Sequence, residues 1–71
     1  MKCVDVRGLS CPEPVIRARQ AMAGMKAGEQ AEILVESETA RENVLRAAGS
    51  MGCTAELHAC DGGYRLVITK Q

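Results

Sequence analysis

Apolar and polar residues alternate in four stretches of the chain, and each stretch has the length of a β-strand. Residues 2–6 and 30–36 place every second side chain on an apolar face, as a half-buried strand does. Residues 54–59 and 64–70 alternate in the same way. Asp61, Gly62 and Gly63 separate them, which predicts a β-hairpin turn. The pattern therefore predicts four strands, of which the last two are antiparallel.

Between these strands the apolar residues recur at helical spacing in two stretches. The first begins at Pro12 and ends at the glycines of residues 24–28, with an apolar stripe at Val15, Ala18, Met22 and Met25. In the second, Thr39 is followed three residues later by Glu42, which predicts a capping box at the helix start. We expect Gly52 to end this helix in a left-handed conformation. Its predicted buried stripe is Ala40, Val44, Ala47, Ala48 and Met51.

The order of these elements predicts one domain over residues 1–71 with an α/β (α+β) two-layer sandwich fold. A strand-helix-strand unit favours a parallel pair with a right-handed crossover, and the final hairpin is antiparallel. The βαβαββ order therefore predicts a mixed four-stranded sheet with two helices on one face. The other sheet face would carry Glu32, Glu56 and Arg65 beside Leu34, as solvent surface or as a docking surface. The core is expected to be aliphatic because Tyr64 is the only aromatic residue.

The overall charge and hydropathy exclude several classes of function. Nine basic and nine acidic side chains cancel, and a direct nucleic-acid role would call for a basic excess or aromatic stacking platforms. No apolar run approaches the roughly 20 residues that span a bilayer. The amino terminus has no hydrophobic region of the signal-peptide type. We therefore expect a cytoplasmic protein that neither binds nucleic acid directly nor inserts into a membrane, and we expect it to be a monomer.

Four cysteines, Cys3, Cys11, Cys53 and Cys60, allow three interpretations. Disulfides would require an oxidising compartment, which nothing in the sequence indicates. A zinc site is disfavoured because the cysteine spacings are wider than those of paired zinc ligands, although His58 and Cys60 share one face of a predicted strand. The third interpretation is one reactive thiol and three cysteines that pack as small apolar residues. On this interpretation we expect no metal and no other cofactor.

Cys11 is the candidate reactive thiol. Pro12 and Pro14 both suit the first turn of a helix, which places Cys11 near the N-cap at the tip of a loop. The positive end of the helix dipole favours a thiolate there, while the neighbouring Glu13 opposes it. Cysteine is a poor helix cap, so a purely structural role explains it less well than a chemical one.

The surroundings of Cys11 in the sequence favour a thiol that accepts a group and hands it on. There is no Cys-x-x-Cys pair for dithiol exchange. The single histidine, His58, lies on a predicted strand, where a role as general base is disfavoured. Three basic residues, Arg7, Arg17 and Arg19, would form a positive docking patch near Cys11 or would be ordinary solvated side chains, and both interpretations stay open.

The segment from Asp5 to Pro14 resembles the signature of the TusA/SirA/YedF-like sulfur-carrier (sulfurtransferase) family, with the matching residues Asp5, Gly8, Leu9, Cys11, Pro12 and Pro14. The resemblance implies that Cys11 accepts sulfane sulfur as a persulfide. It also implies that Asp5, Gly8, Pro12 and Pro14 shape and support the loop. A cysteine desulfurase or a rhodanese-like donor would load the thiol, and a DsrE-like or other acceptor protein would remove the sulfur.

Residues 36–52 resemble the YedF-like branch more than the tRNA-thiolation branch, because Val44 and Leu45 stand where that branch has an Ile-Pro pair. The donor, the acceptor and the pathway stay open. A carrier of this type is a transferase only in the broad sense, since it acts with partner enzymes. The alternatives are a non-catalytic interaction or redox-regulatory module, and a carrier of selenium in place of sulfur.

Overall fold

The computed structural model describes residues 2–9 and 13–71, with Lys2 described by its backbone alone. Cys11 and Pro12, both predicted site residues, therefore lie outside the described residues, as do Met1 and Ser10. The elements follow the predicted order: β1 (Lys2–Asp5), α1 (Glu13–Ala23), β2 (Gln30–Val35), α2 (Glu38–Ser50), β3 (Cys53–Cys60) and β4 (Gly63–Lys70). None of the helices in the described ranges is long and apolar enough to cross a membrane.

The four strands form one mixed sheet in the order β1-β2-β4-β3. β1 and β2 are parallel, because α1 carries the chain back between them, whereas β4 is antiparallel to both β2 and β3. Ile33 of β2 lies beside Val4 on one side and Leu66 on the other, so apolar residues of adjacent strands meet on one face. The predicted two-layer α/β sandwich, with two helices and a mixed four-stranded sheet, is confirmed.

The core lies between the helices and one face of the sheet. Alternate residues of β2 and β4 point inward, as the period-two pattern predicts, and the stripes of the two helices cover them. The core is aliphatic, and its largest fully buried side chains are Met22, Ile33, Val35, Val44, Leu66 and Ile68. Removing aliphatic side chains of this size from water stabilises the fold by about 1.5–3 kcal/mol each.

Helix α2 begins two residues earlier than a cap at Thr39 would allow. Ser37 is the N-cap, with an extended backbone (φ −126°, ψ 157°), and its Oγ accepts a hydrogen bond from the Ala40 backbone N at 3.1 Å. The predicted Thr39–Glu42 capping box is therefore wrong, because Thr39 already lies within the first helical turn. Glu42 instead pairs with Arg41 at 2.9 Å. Since β2 ends at Val35, Ser37 is the first hydroxyl the chain offers after the strand.

The predicted left-handed glycine after α2 is confirmed, since Gly52 has φ +72° directly after the C-cap Met51. The hairpin turn is shorter than the three residues predicted. Asp61 and Gly62 form it alone, and Gly63 is the first residue of β4. A side chain at Gly63 would collide with the carbonyl oxygen of Val35 and with Glu36 Cα, so the close approach of β4 to the end of β2 requires glycine.

The prediction that three cysteines pack as small apolar residues holds for Cys53, which is buried, and is wrong for Cys3 and Cys60. Both exposed cysteines lie on edge strands, on the sheet face opposite the helices. Cys3 Sγ lies 3.6 Å from Glu32 Oε1. The pKa of the Cys3 thiol is raised, mainly by partial loss of hydration and secondarily by this contact with the Glu32 carboxylate. The higher pKa keeps the thiol protonated and less nucleophilic.

Candidate functional site

The candidate site is the edge of the sheet where the parallel strands β1 and β2 end and both helices begin. Parallel strands bring their carboxyl ends to the same edge, and in open α/β sheets the loops there are common functional positions. Residues 6–9 lead from β1 into the segment 10–12, and α1 follows at Glu13. The candidate site is therefore described from the residues that precede and follow the segment 10–12.

One backbone hydrogen bond holds the loop of residues 6–9 to the sheet, and a second closes the loop on itself. The N–H of Val6 donates to the Leu34 carbonyl at 3.0 Å, and the N–H of Leu9 donates to the Val6 carbonyl at 3.3 Å. Gly8 has φ +83°, a conformation that other residues adopt only under strain. Its N–H donates to Glu36 Oε1 at 2.6 Å, which joins the loop after β1 to the residue after β2.

Asp5 and Arg7 form a bidentate ion pair at the start of this loop. Arg7 Nε donates to Asp5 Oδ1 at 2.9 Å and its second guanidinium nitrogen donates to Oδ2 at 2.8 Å, while the Arg7 backbone N–H also bonds Oδ1 at 3.0 Å. These bonds stabilise the ionised carboxylate and lower the pKa of Asp5 to about 2. The carboxylate in turn raises the pKa of Arg7. Asp5 thus fixes the direction of the Arg7 side chain.

A small cavity lies between the loop and the two helix starts. Its volume is about 100 Å³, with Leu9, Pro14 and Val15 on one side and Ser37, Thr39 and Asn43 on the other. Pro14 is buried in the first turn of α1. Leu9 and Pro14 stand two residues before and three residues after Cys11 in the sequence, so the cavity borders both ends of the predicted reactive segment.

The three arginines predicted as a docking patch do not share one direction. Arg17 pairs with Glu13 one helical turn earlier, at 3.5 Å, and both side chains are about half exposed. Arg19 is exposed, but two residues along a helix correspond to a rotation of roughly 200°, so it points away from Arg17. Arg7 is directed by Asp5. A joint role of these residues in docking stays a prediction.

His58 lies far from the loop of residues 6–9 within the sheet. Its Nε2 is 2.8 Å from Glu56 Oε1, and both residues lie on the open face of β3. The strand order puts β3 three positions from β1, about 14 Å at the usual strand spacing. Within residues 2–9 and 13–71 no three metal-ligating side chains cluster, although Cys60 lies on the same face of β3 as Glu56 and His58.

Glu36 is the site residue that the sequence interpretation missed. It lies outside the Asp5–Pro14 motif, at the end of the alternating stretch 30–36 and directly after β2. The signal that identifies it is topological: two parallel strands joined by a crossover helix must end side by side. A polar residue directly after the second strand can therefore bond the loop that follows the first.

The fold and the site define a small α/β domain whose candidate site is the β1–α1 loop beside a shallow cavity. The chain belongs to the TusA family: the family described as Sulfurtransferase TusA matches residues 2–70. The crystal structure of a SirA-like protein from Desulfitobacterium hafniense is similar over 97% of this chain and 95% of its own, with a TM-score of 0.83 and 36% sequence identity.

Two archaeal proteins are also similar to this chain. A protein of Methanocaldococcus jannaschii, named provisionally as a sulfur carrier protein, is 35% identical over 71 residues, which cover 99% of this chain and 95% of the relative. A protein of Archaeoglobus fulgidus with the same provisional name is 50% identical over 44 residues, covering 62% of this chain and 57% of the relative.

Proposed function

We propose that this protein is a sulfur carrier that holds sulfane sulfur as a persulfide on Cys11. The observation that carries the proposal is the fixed frame on either side of Cys11. The loop of residues 6–9 is bonded to the sheet, and Pro14 is buried in the first turn of α1. Membership of the TusA family and the provisional names of the two archaeal relatives support the same function.

The transfer needs no oxidant or reductant. The Cys11 thiolate attacks the outer sulfur of a persulfide on the donor protein, a new S–S bond forms at Cys11, and the donor's S–S bond breaks. The donor leaves as a thiolate, which takes up a proton from solvent. The same exchange in the opposite direction delivers the sulfur to an acceptor thiol. The donor we propose is a cysteine desulfurase or a rhodanese-like protein, and the acceptor is a DsrE-like or other protein.

The remaining motif residues would act by positioning the loop. Asp5 directs Arg7 through its two side-chain hydrogen bonds, and Gly8 permits the turn that reaches Glu36. Pro12 and Pro14 would start the helix directly after the thiol. Arg7, Arg17 and Arg19 are the proposed contacts for an acidic partner. Placement in the YedF-like branch stays a prediction from residues 36–52.

We also propose that the protein works in the cytoplasm. Cys3, Cys53 and Cys60 are free thiols, and two of them are exposed. Exposed thiols persist most readily in a reducing compartment, where disulfides are rare. A persulfide carrier benefits from the same conditions, because its resting thiol must stay reduced between transfers.

The function is tested by intact mass measurement after incubation with a cysteine desulfurase and cysteine, without reductant. Wild type should gain one sulfur, about 32 Da by atomic mass, and lose it when reductant is added, whereas Cys11→Ser should gain nothing. Cys3→Ser and Cys60→Ser are matched controls that remove the two exposed thiols of the described residues and should load like wild type.

Loading of Cys11→Ser, or a failure of wild type to load from both desulfurase and rhodanese-type donors, would contradict the proposal. The interaction or redox-regulatory module would then be the better account. Replacing cysteine with selenocysteine in the same assay distinguishes a selenium carrier by the larger mass gained at Cys11.

A further inference from the structure

Strand β3 leaves one of its two edges unpaired over the whole length Cys53–Cys60. In the described part of the chain it is bonded only to β4. Natural proteins usually protect such an edge with lysine, proline, a bulge or a very short strand. The eight residues of β3 include no lysine and no proline, and their pairing with β4 runs without a bulge. The opposite edge strand, β1, has four residues and includes Lys2.

The register of the hairpin shows which backbone groups of β3 face outward. Cys60 and Gly63 flank a two-residue turn, so they exchange hydrogen bonds, and every second pair from there does the same. The bond from the Gln71 N–H to the Gly52 carbonyl, 3.3 Å, continues this series at the other end of the hairpin. The N–H and C=O groups of the residues in between therefore point away from β4, and these residues are Ala55, Leu57 and Ala59.

We propose that a second copy of this chain pairs antiparallel with β3, with Leu57 opposite Leu57 of the second copy on a two-fold axis. In this register the outward-facing N–H and C=O groups of one β3 strand lie opposite those of the other, as hydrogen bonding in an antiparallel pair requires. It sets Glu56 opposite His58 of the second copy, and His58 opposite Glu56. It also sets Ala55 opposite Ala59, so small side chains meet on the helix side.

The side chains of β3 favour this register over its neighbours. Moving the two-fold axis by one residue toward Cys53 would place Glu56 opposite Glu56 of the second copy, and the two like charges would repel. Moving it by one residue toward Cys60 would place His58 opposite His58 and lose both Glu56–His58 pairs. Leu57 and Ile16 are the two large hydrophobic residues exposed within the described ranges, and Leu57 is 44% exposed. Glu56 and His58 already lie 2.8 Å apart within one chain, so the same two groups can bond across the axis.

The pairing leaves the candidate site open. The two-fold axis produces a continuous eight-stranded sheet with all four helices on one face. Because the two β3 strands run in opposite directions, the two loops of residues 6–9 lie at opposite ends of the assembly. Dimer formation is therefore independent of sulfur transfer. The interface consists of edge hydrogen bonds and a few side chains, so the dimer is expected to be weak and concentration-dependent. At low concentration the proposal agrees with the monomer expected from the sequence, and at high concentration it differs from it.

Sedimentation in the presence of a phosphine reductant tests the pairing. The average mass of the wild type should rise from 7.6 kDa toward twice that value as the concentration increases from low micromolar to near-millimolar. His58→Glu sets two Glu–Glu pairs across the axis and should weaken the dimer about tenfold. The double variant Glu56→His with His58→Glu restores opposite partners and should restore the dimer. Glu29→Lys, a charge change at an exposed residue outside β3, is the control.

Hydrogen exchange locates the interface. At high concentration the amides of Ala55, Leu57 and Ala59 should become protected, whereas those of Glu56 and His58 are bonded to β4 at every concentration. A mass that stays at 7.6 kDa, a dimer that reductant abolishes, or protection confined to another surface would each overturn the proposal. The proposal would also be overturned if the double variant dimerised as weakly as His58→Glu while both variants kept the unfolding temperature of the wild type.

Discussion

The backbone N–H of Gly8 donates a hydrogen bond to the Glu36 carboxylate, with 2.6 Å between the amide nitrogen and Oε1. The two residues are far apart in the sequence, and each follows the end of one of the two parallel strands. The bond ties the loop before Cys11 to the residue just before the N-cap of α2. Rigidity of the loop therefore depends on both halves of the fold and not on the motif alone.

Replacing Gly8 with alanine should destabilise the protein by about 1 kcal/mol, because φ +83° is strained for any residue with a Cβ. No atom lies within 4 Å of the added Cβ, so the cost reflects the backbone conformation and not a collision. Urea unfolding measures the difference. Gly49→Ala is the control, since Gly49 lies in helix α2 and an added Cβ there also meets no atom within 4 Å. This variant should stabilise the protein by about 0.5 kcal/mol, because alanine favours a helix more than glycine does. Equal effects at both positions would contradict the backbone explanation.

Ser37 and Thr39 give opposite predictions for the start of α2. Ser37→Ala removes the oxygen that accepts from the Ala40 N–H and should cost about 1 kcal/mol of unfolding free energy. Thr39→Ala should change the stability by a few tenths of a kcal/mol, because Thr39 lies within the helix and alanine is the better helix former. Thermal unfolding of the two variants compares them directly. A larger loss for Thr39→Ala would restore the capping box predicted from the sequence.

Leu57 and Leu66 are direct neighbours across β3 and β4 and point to the same face of the sheet, yet their burial differs completely. Leu66 is fully buried and Leu57 is 44% exposed. Leu66→Ala should cost about 2–5 kcal/mol through the lost contacts and the cavity left behind. Leu57→Ala should cost less than about 1 kcal/mol when measured at low protein concentration. Comparable losses would mean that the helices cover β3 as fully as they cover β4.

The Asp5–Arg7 pair gives a prediction for pH. The pKa of Asp5 is about 2 in the folded protein and lies below its value in the unfolded chain. The stabilising contribution of the ionised carboxylate is therefore fully present above the ordinary pKa of about 3.9 and is lost as the pH falls through about 2. Arg7→Gln removes the guanidinium bonds and keeps the backbone bond to Oδ1, so the pKa of Asp5 should rise part of the way toward its ordinary value. Carboxyl ¹³C shifts of Asp5 measure both midpoints, and an unchanged midpoint in the variant would contradict the pairing.

Much of the fold could be predicted from local patterns. The alternation of residues 30–36 fixes which face of β2 is buried, since a strand that reversed it would expose Ile33 and Val35 and bury Glu32. The left-handed position of Gly52 followed from the end of an apolar helical stripe. The prediction of an N-cap at Thr39 was wrong because Ser37 and Thr39 both offer a hydroxyl for the helix start. The end of β2 at Val35 decides in favour of Ser37.

The sequence by itself determined the element order, the apolar faces, the aliphatic core and the position of the predicted thiol between β1 and α1. These depend on neighbours within a few residues, whose spacing the chain itself sets. Only the tertiary structure decided that Glu36 bonds Gly8, that Asp5 directs Arg7 and that the unprotected edge is β3. Such features arise because strand order brings distant residues together, and the pattern of one strand does not specify which strand will lie beside it.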